Sequence, residues 1–173
     1  IMAQTLADTL YDVKFTGDDL SFADLNPERP NLIINATNAT GVDGSGRDRF
    51  PFGSIFTFTE EDFRERIRSD IARYSVARAV MGSAAFPMVF PGMTLMDFSA
   101  LDRNECKNAK DVPDTCNRYL HVFDGGNSDN LGLATLKRVL FEAAAAGTLD
   151  SFRHIVVISI DAFTKPAGIS STS

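Results

Sequence analysis

Residues 119–127 read Tyr-Leu-His-Val-Phe-Asp-Gly-Gly-Asn, and this stretch is the strongest indication of the fold in the chain. A hydrophobic strand is predicted to end at Asp124, and Gly125 and Gly126 follow it directly. Glycine allows backbone turns that other residues disfavour. In open α/β sheets, ligands gather at the carboxyl ends of the strands, so this arrangement would aim the Asp124 carboxylate into a cleft.

The composition is that of an ordinary globular protein. The 173 residues include 44% hydrophobic and 23% charged residues, which is enough for a single domain with a genuine core. The formal net charge is -6, and there is no stripe of lysine or arginine. We therefore expect no nucleic-acid partner, because phosphate binding requires a basic surface.

Strands and helices are predicted to alternate along the chain. Apolar side chains at helical spacing predict helices over residues 6–13, 60–81 and 133–146. Short apolar runs predict strands over residues 31–37, 54–59, 119–124 and 154–160. The last run is almost wholly apolar, which is typical of a parallel strand buried on both faces. This alternation indicates an α/β layered fold, with residues 1–173 forming one domain.

A long uncharged stretch separates Arg78 from Asp97 and spans eighteen residues. Glycines and prolines interrupt it, so we interpret it as a helix end followed by an apolar loop and not as a membrane span. Two interpretations of the loop stay open, namely contact with an acyl chain or membrane surface, or plain core packing. The residues concerned are Phe86, Met88, Val89, Phe90, Met93, Leu95 and Met96.

The two cysteines, Cys106 and Cys116, have nine residues between them. Both a disulfide and two free thiols fit this spacing. A disulfide would suit a periplasmic, secreted or membrane-associated protein, but the compartment stays unknown. No zinc site is expected without a CxxC pair or a nearby pair of histidines. The acidic runs at residues 43–48 and 127–130 lack the EF-hand pattern, so no metal is predicted.

Three segments, taken in order, resemble the patatin-like phospholipase family. They are NLIINATNATG at residues 31–41, GSAAFP at residues 82–87 with a later Pro91, and FDGGNSDNLG at residues 123–132. The similarity extends from about Leu6 to Asp161. It implies a three-layer α/β/α sandwich with a mainly parallel sheet, and the activity of a lipid acyl hydrolase of the phospholipase A or esterase type.

The resemblance also implies a catalytic residue. Family members use a serine–aspartate dyad without a cofactor or metal, and the match places the dyad aspartate at Asp124. Its implied role is to accept the serine proton and orient the hydroxyl, as histidine does in a triad. Neither His121 nor His154 has a role in this scheme. The family often has a proline shortly after the asparagine of this motif, where this chain has Leu131 and Gly132.

Two elements of the family are missing from the sequence. There is no Gly-x-Ser-x-Gly nucleophile elbow and no glycine-rich oxyanion loop. We therefore expect the serine upstream of residue 1, a sheet that is incomplete at its N-terminal side, and no activity of this chain alone. Four serines are possible substitutes, but none has the strand–turn–helix setting of an elbow: Ser45, Ser54, Ser83 and Ser128.

A different class of function stays open beside the hydrolase. The chain could be a non-catalytic α/β binding or assembly module, in which Asp124 only stabilises its glycine turn. Asp161 also follows an apolar strand but lacks the glycine pair, so it is interpreted as an ordinary strand-end acid. The expected partners of the hydrolase are a lipid or phospholipid substrate, a peripheral membrane contact, and the missing N-terminal segment or a second copy covering exposed sheet edges.

Overall fold

The computed structural model describes residues 2–10, 19–40, 51–99 and 119–161. Contacts within the chain group into two compact units, residues 1–130 and residues 131–173. Cys106, Cys116 and Ser45 lie outside the described residues, so the question of a disulfide stays open.

The first unit is built on a four-stranded antiparallel sheet. Its strands are β1 (Ile34–Asn38), β2 (Ile55–Phe58), β3 (Met93–Met96) and β4 (Tyr119–Asp124). They lie in the order β2-β1-β4-β3, and each neighbouring pair is antiparallel. The expectation of a three-layer α/β/α sandwich with a mainly parallel sheet is therefore wrong.

The burial pattern of β4 gives the physical reason for this correction. Leu120 and Val122 are buried, whereas Tyr119 and His121 on the opposite face are exposed. An antiparallel sheet with one covered face produces this alternation, and a parallel strand covered on both faces does not. In the sequence, the polar His121 inside the apolar run indicated that one face of the strand is exposed. The strand β3 shows the same alternation, because only Met93 and Leu95 are buried.

In the described part of the first unit there are four α-helices, and one prediction about them was wrong. They are α1 (Met2–Leu10), α2 (Glu60–Arg66), α3 (Val76–Ser83) and the short α4 (Gly126–Asp129). The single helix predicted over residues 60–81 is interrupted between α2 and α3. Arg68 has a left-handed φ of 48°, and the Ser75 hydroxyl accepts from the N–H of Arg78 and starts a new helix. Ile67 and Ile71 are nevertheless buried, so their apolar spacing reported burial and not helix.

The predicted start of α2 is confirmed and also connects the helix to the sheet. The Thr59 side chain accepts from the N–H of Asp62 in the first turn. Asp62 is buried, and its Oδ2 accepts from the backbone N–H of Thr57 at 2.6 Å and from the Thr57 hydroxyl at 2.7 Å. Arg66 Nη1 lies 3.5 Å from the same oxygen. The buried carboxylate is thus both hydrogen-bonded and charge-paired, as burial of a charge requires.

The core is centred on an aromatic cluster between β2 and the helices. Phe58 and Tyr74 stack with ring centroids 5.7 Å apart, and Phe63 meets Tyr74 edge-on at 5.3 Å. Gly82 of α3 faces this cluster, where an added Cβ would lie 3.3 Å from Phe58 Cζ. Close approach of α3 to the sheet therefore depends on the small residue. Aromatic burial of this kind supplies a large share of the stability of a small domain.

The second unit contains α5 (Leu133–Ala145) and the segment that follows it. The helix predicted over residues 133–146 is confirmed, and it ends just before Gly147, which adopts φ 72°. The buried parallel strand predicted over residues 154–160 is wrong, because the segment forms no strand and every residue in it is exposed. A strand needs neighbours, and no strand within the described part of the chain pairs with this segment.

Tyr74 makes the stability of the fold sensitive to alkaline pH. Burial raises the pKa of Tyr74 to about 12, although the nearby charge of Arg78 opposes this shift. An unfolded tyrosine ionises near pH ~10, so the contribution is complete below that pH and is lost as pH rises toward the folded pKa. We expect the free energy of unfolding in urea to fall between those two values, and Tyr74→Phe to remove this part of the fall.

Tyr119→Phe, at an exposed tyrosine, is the matched control and should keep the pH dependence of the unsubstituted protein. The phenol of Tyr74 also donates a hydrogen bond to Met93 Sδ at 2.8 Å. Tyr74→Phe lacks this hydrogen bond, which should lower the free energy of unfolding of the variant by the same amount at neutral and alkaline pH. Parallel pH profiles for the unsubstituted protein and Tyr74→Phe would contradict the assignment.

Candidate functional site

The three sequence segments singled out above meet at one end of the sheet. Asp124 is the last residue of β4 and lies opposite Ala36 of β1. The backbone N–H of Asp124 donates to the carbonyl of Ala85 at 3.1 Å, and the N–H of Gly125 donates to the carbonyl of Ser83 at 3.0 Å. Residues far apart in the sequence therefore form a single frame around Asp124.

The Asp124 carboxylate is half-buried and only partly engaged. Its Oδ1 accepts from the backbone N–H of Gly126 at 2.7 Å. Among the residues that the structure describes, no donor reaches Oδ2. One oxygen is thus oriented by the turn while the other can accept a hydrogen bond or a proton from a group brought to the site. This is the arrangement that a general base requires.

Two polar side chains of β1 hold the glycine turn from below. Thr37, which is fully buried, donates from Oγ1 to the carbonyl of Asp124 at 2.6 Å and lies 2.9 Å from Ser128 Oγ. Asn35, two residues earlier on the same face, donates to Asp129 Oδ2 at 3.3 Å. Sequence reasoning missed both residues, although polar side chains alternating within an apolar strand were the available signal.

Gly125 sits where no side chain fits. A Cβ at this position would lie 2.4 Å from the carbonyl oxygen of Asn35, which is far inside van der Waals contact. Gly126 is also confined, since its Cβ would approach Asp124 Oδ1 to 2.9 Å. Gly125 has an ordinary helical φ of -65°, so its backbone conformation does not require glycine. The two glycines are needed because Gly125 lies close to β1 and Gly126 lies close to the carboxylate.

None of the described serine hydroxyls lies within hydrogen-bond distance of the Asp124 carboxylate. Ser83 meets the turn through its backbone carbonyl, and Ser128 contacts Thr37. The buried hydroxyl of Ser54 has no hydrogen-bond partner among the described residues, but Ser54 precedes β2, and its carbonyl accepts from the N–H of Asn38 at the far end of β1. The structure therefore brings none of these three substitutes to the aspartate.

The remaining candidate residues have other contacts or belong to the second unit. His121 faces the exposed side of the sheet, where its Nδ1 lies 3.0 Å from Thr94 Oγ1. His154 and Asp161 are exposed in the second unit. The helix α5 begins at Leu133, directly after Gly132, whose φ is 69°.

Within the described ranges, no cluster of three or more histidine, cysteine, aspartate or glutamate side chains could hold a metal ion. None of the helices in those ranges is long and apolar enough to cross a membrane. In comparisons with known proteins, no family model, no curated protein and no solved structure matches this chain.

The steric role of Gly125 can be separated from backbone strain by comparing two glycines. Gly125→Ala should lower the free energy of unfolding by about 1–3 kcal/mol or more, because its Cβ meets backbone that cannot move freely. Gly53→Ala is the control, since its Cβ would have open space and only its φ of 81° is unfavourable.

The control should cost about 1 kcal/mol, the usual penalty for a left-handed residue. Urea denaturation followed by circular dichroism would measure both values. Equal or greater stability of Gly125→Ala than of Gly53→Ala would show that the turn does not approach β1 as closely as described.

Proposed function

We propose that this chain supplies the catalytic aspartate of a lipid acyl hydrolase that uses a serine–aspartate dyad. The observation that carries the proposal is the Asp124 carboxylate, with Oδ1 held by the Gly126 N–H and with no donor to Oδ2 among the described residues. The serine is supplied by polypeptide outside the 173 residues. This proposal concerns the intact enzyme, and the chain alone is inactive.

In the proposed reaction, Asp124 accepts the proton of the serine hydroxyl as the oxygen attacks the carbonyl carbon of a fatty-acyl ester. Backbone N–H groups stabilise the oxyanion. The ester bond then breaks, the alcohol leaves with the proton that Asp124 had accepted, and an acyl-serine remains. Water attacks the acyl-serine with Asp124 as the base, which releases the fatty acid and restores the serine hydroxyl.

The frame around Asp124 supports this role on physical grounds. A base works only when its oxygen is held within hydrogen-bond reach of the proton that it removes. Here the backbone of Asp124 is fixed from two sides, by β1 and by the carbonyl of Ala85. The carboxylate is fixed in turn by the Gly126 N–H. Little reorganisation is then needed at the moment of proton transfer.

A second candidate, a non-catalytic assembly module, is favoured by the second unit. Six apolar residues there are more than half exposed: Phe141, Phe152, Ile155, Val156, Ile158 and Ile160. The apolar face of α5 between Leu133 and Ala144 also borders an open space of about 370 Å³. Large exposed apolar surfaces of this kind mark contacts with other polypeptides. In this interpretation, Asp124 only stabilises its turn.

The two candidates differ in the effect of Asp124→Asn on the complete protein. For the hydrolase we expect ester turnover to fall by at least about a hundredfold, because general-base catalysis contributes about 10²–10⁴-fold. The amide should still accept from Gly126 through its oxygen, so the fold is retained. Turnover of a short-chain ester and labelling by a fluorophosphonate would be measured in parallel.

Asp129→Asn, which changes an acid of the same turn, is the matched control and should retain turnover. If the complete protein neither hydrolyses esters nor reacts with the fluorophosphonate, the assembly module is the better description. Undiminished turnover in Asp124→Asn would mean that another residue is the base.

A further inference from the structure

Residues 86–90 form a tight turn that presents apolar side chains to solvent, and we call this segment the apolar turn. The carbonyl of Phe86 accepts from the N–H of Val89 at 3.1 Å and from that of Phe90 at 3.0 Å. Met88 is fully exposed and has a left-handed φ of 72°, which residues other than glycine seldom adopt. The turn therefore holds its side chains outward in a defined conformation.

The structure separates the apolar turn from the core residues that follow it. Met93 and Leu95 are buried on the inner face of β3. Phe86 and Val89, in contrast, expose 55% and 64% of their surface. Core packing therefore explains Met93 and Leu95 and leaves the apolar residues of the turn unexplained.

The apolar turn lies beside the candidate site. Phe86 directly follows Ala85, whose carbonyl accepts from the N–H of Asp124. Met96, another exposed methionine, lies at the opposite end of the sheet, because it pairs with Tyr119 at the start of β4. That end lies five residue-to-residue steps along β4 from Asp124, a distance of about 17 Å.

We infer that the apolar turn inserts into the lipid–water interface of a zwitterionic membrane and brings Asp124 to its substrate. This inference rests on the proposed function, since it names the physical state in which the fatty-acyl ester is met. Phenylalanine, valine and methionine are side chains that bury favourably at the boundary of headgroups and acyl chains.

The charges favour a zwitterionic surface over an anionic one. Residues 79–96 contain no charged side chain, so the turn offers no basic group to an anionic lipid. The chain has a net charge of -6, which anionic membranes repel. Binding to the membrane therefore depends on burial of the apolar side chains.

Met88→Gly provides a test that does not weaken the fold. The substitution removes the most exposed side chain of the turn, and glycine adopts a positive φ without steric cost. In the complete protein we expect the partition coefficient onto phosphatidylcholine vesicles, measured by flotation, to fall about tenfold. Met96→Ala is the matched control at the other end of the sheet and should bind like the unsubstituted protein.

A tryptophan gives a direct readout of insertion, because the chain has none. The emission that Val89→Trp adds to the unsubstituted protein should shift to the blue on vesicles and be quenched by brominated acyl chains. Tyr119→Trp, at the opposite end of the sheet, should remain unquenched.

Equal partition of Met88→Gly and the unsubstituted protein, or no quenching of Val89→Trp, would overturn the inference. Tighter binding to phosphatidylserine vesicles would overturn the choice of a zwitterionic surface. If Met88→Gly converts a dimer to a monomer and leaves the partition onto vesicles unchanged, the apolar turn contacts a second copy of the chain. That result would also overturn the inference of membrane insertion.

The same set of variants separates this inference from the proposed function. If Asp124→Asn loses ester turnover while Met88→Gly still binds vesicles fully, the inference alone fails. If Met88→Gly loses vesicle binding while Asp124→Asn keeps full turnover, the assignment of Asp124 fails and the membrane contact stands.

Discussion

The antiparallel pairing of β1 with β4 is the constraint on which the candidate site depends. It places Ala36 opposite Asp124 and lets the buried hydroxyl of Thr37 donate to the Asp124 carbonyl. A slip of one residue would turn every side chain of β1 to the other face of the sheet. Thr37 and Asn35 would then leave the glycine turn, and the carbonyl of Asp124 would lose its donor. The register of two strands thus controls the position of the carboxylate.

The same pairing explains why the turn consists of glycines. The chain leaves β4 so close to β1 that a Cβ on Gly125 would collide with the backbone of Asn35. The backbone then turns at once into α4, and the N–H of Gly126 faces the carboxylate that precedes it. The Gly126 N–H orients one carboxylate oxygen, and no donor in the described part of the chain reaches the other. For catalysis and for a structural turn alike, this geometry is the starting point, and only the arrival of a nucleophile distinguishes them.

Apolar spacing in the sequence predicted burial better than it predicted secondary structure. Ile67 and Ile71 are buried although α2 ends before them. A separate helix, α3, then begins after Ser75, whose hydroxyl caps its first turn. In β4, the alternation of buried Leu120 and Val122 with exposed neighbours indicated a sheet with one covered face, and the pairing with β1 and β3 showed that the sheet is antiparallel. Residues 154–160 show the limit of such patterns, since an apolar run becomes a strand only when other strands pair with it.

The sequence by itself determined the local features of this protein: the start of α2 at Thr59, the helix that ends before Gly147, and a carboxylate followed by two glycines. These depend on neighbouring residues, through capping hydrogen bonds and the backbone freedom of glycine. Only the tertiary structure decided that the sheet is antiparallel, that Thr37 and Asn35 support the turn, and that the exposed residues 86–90 lie beside Asp124. Those facts depend on contacts between segments up to about ninety residues apart, and backbone pairing of that range is not encoded in local composition.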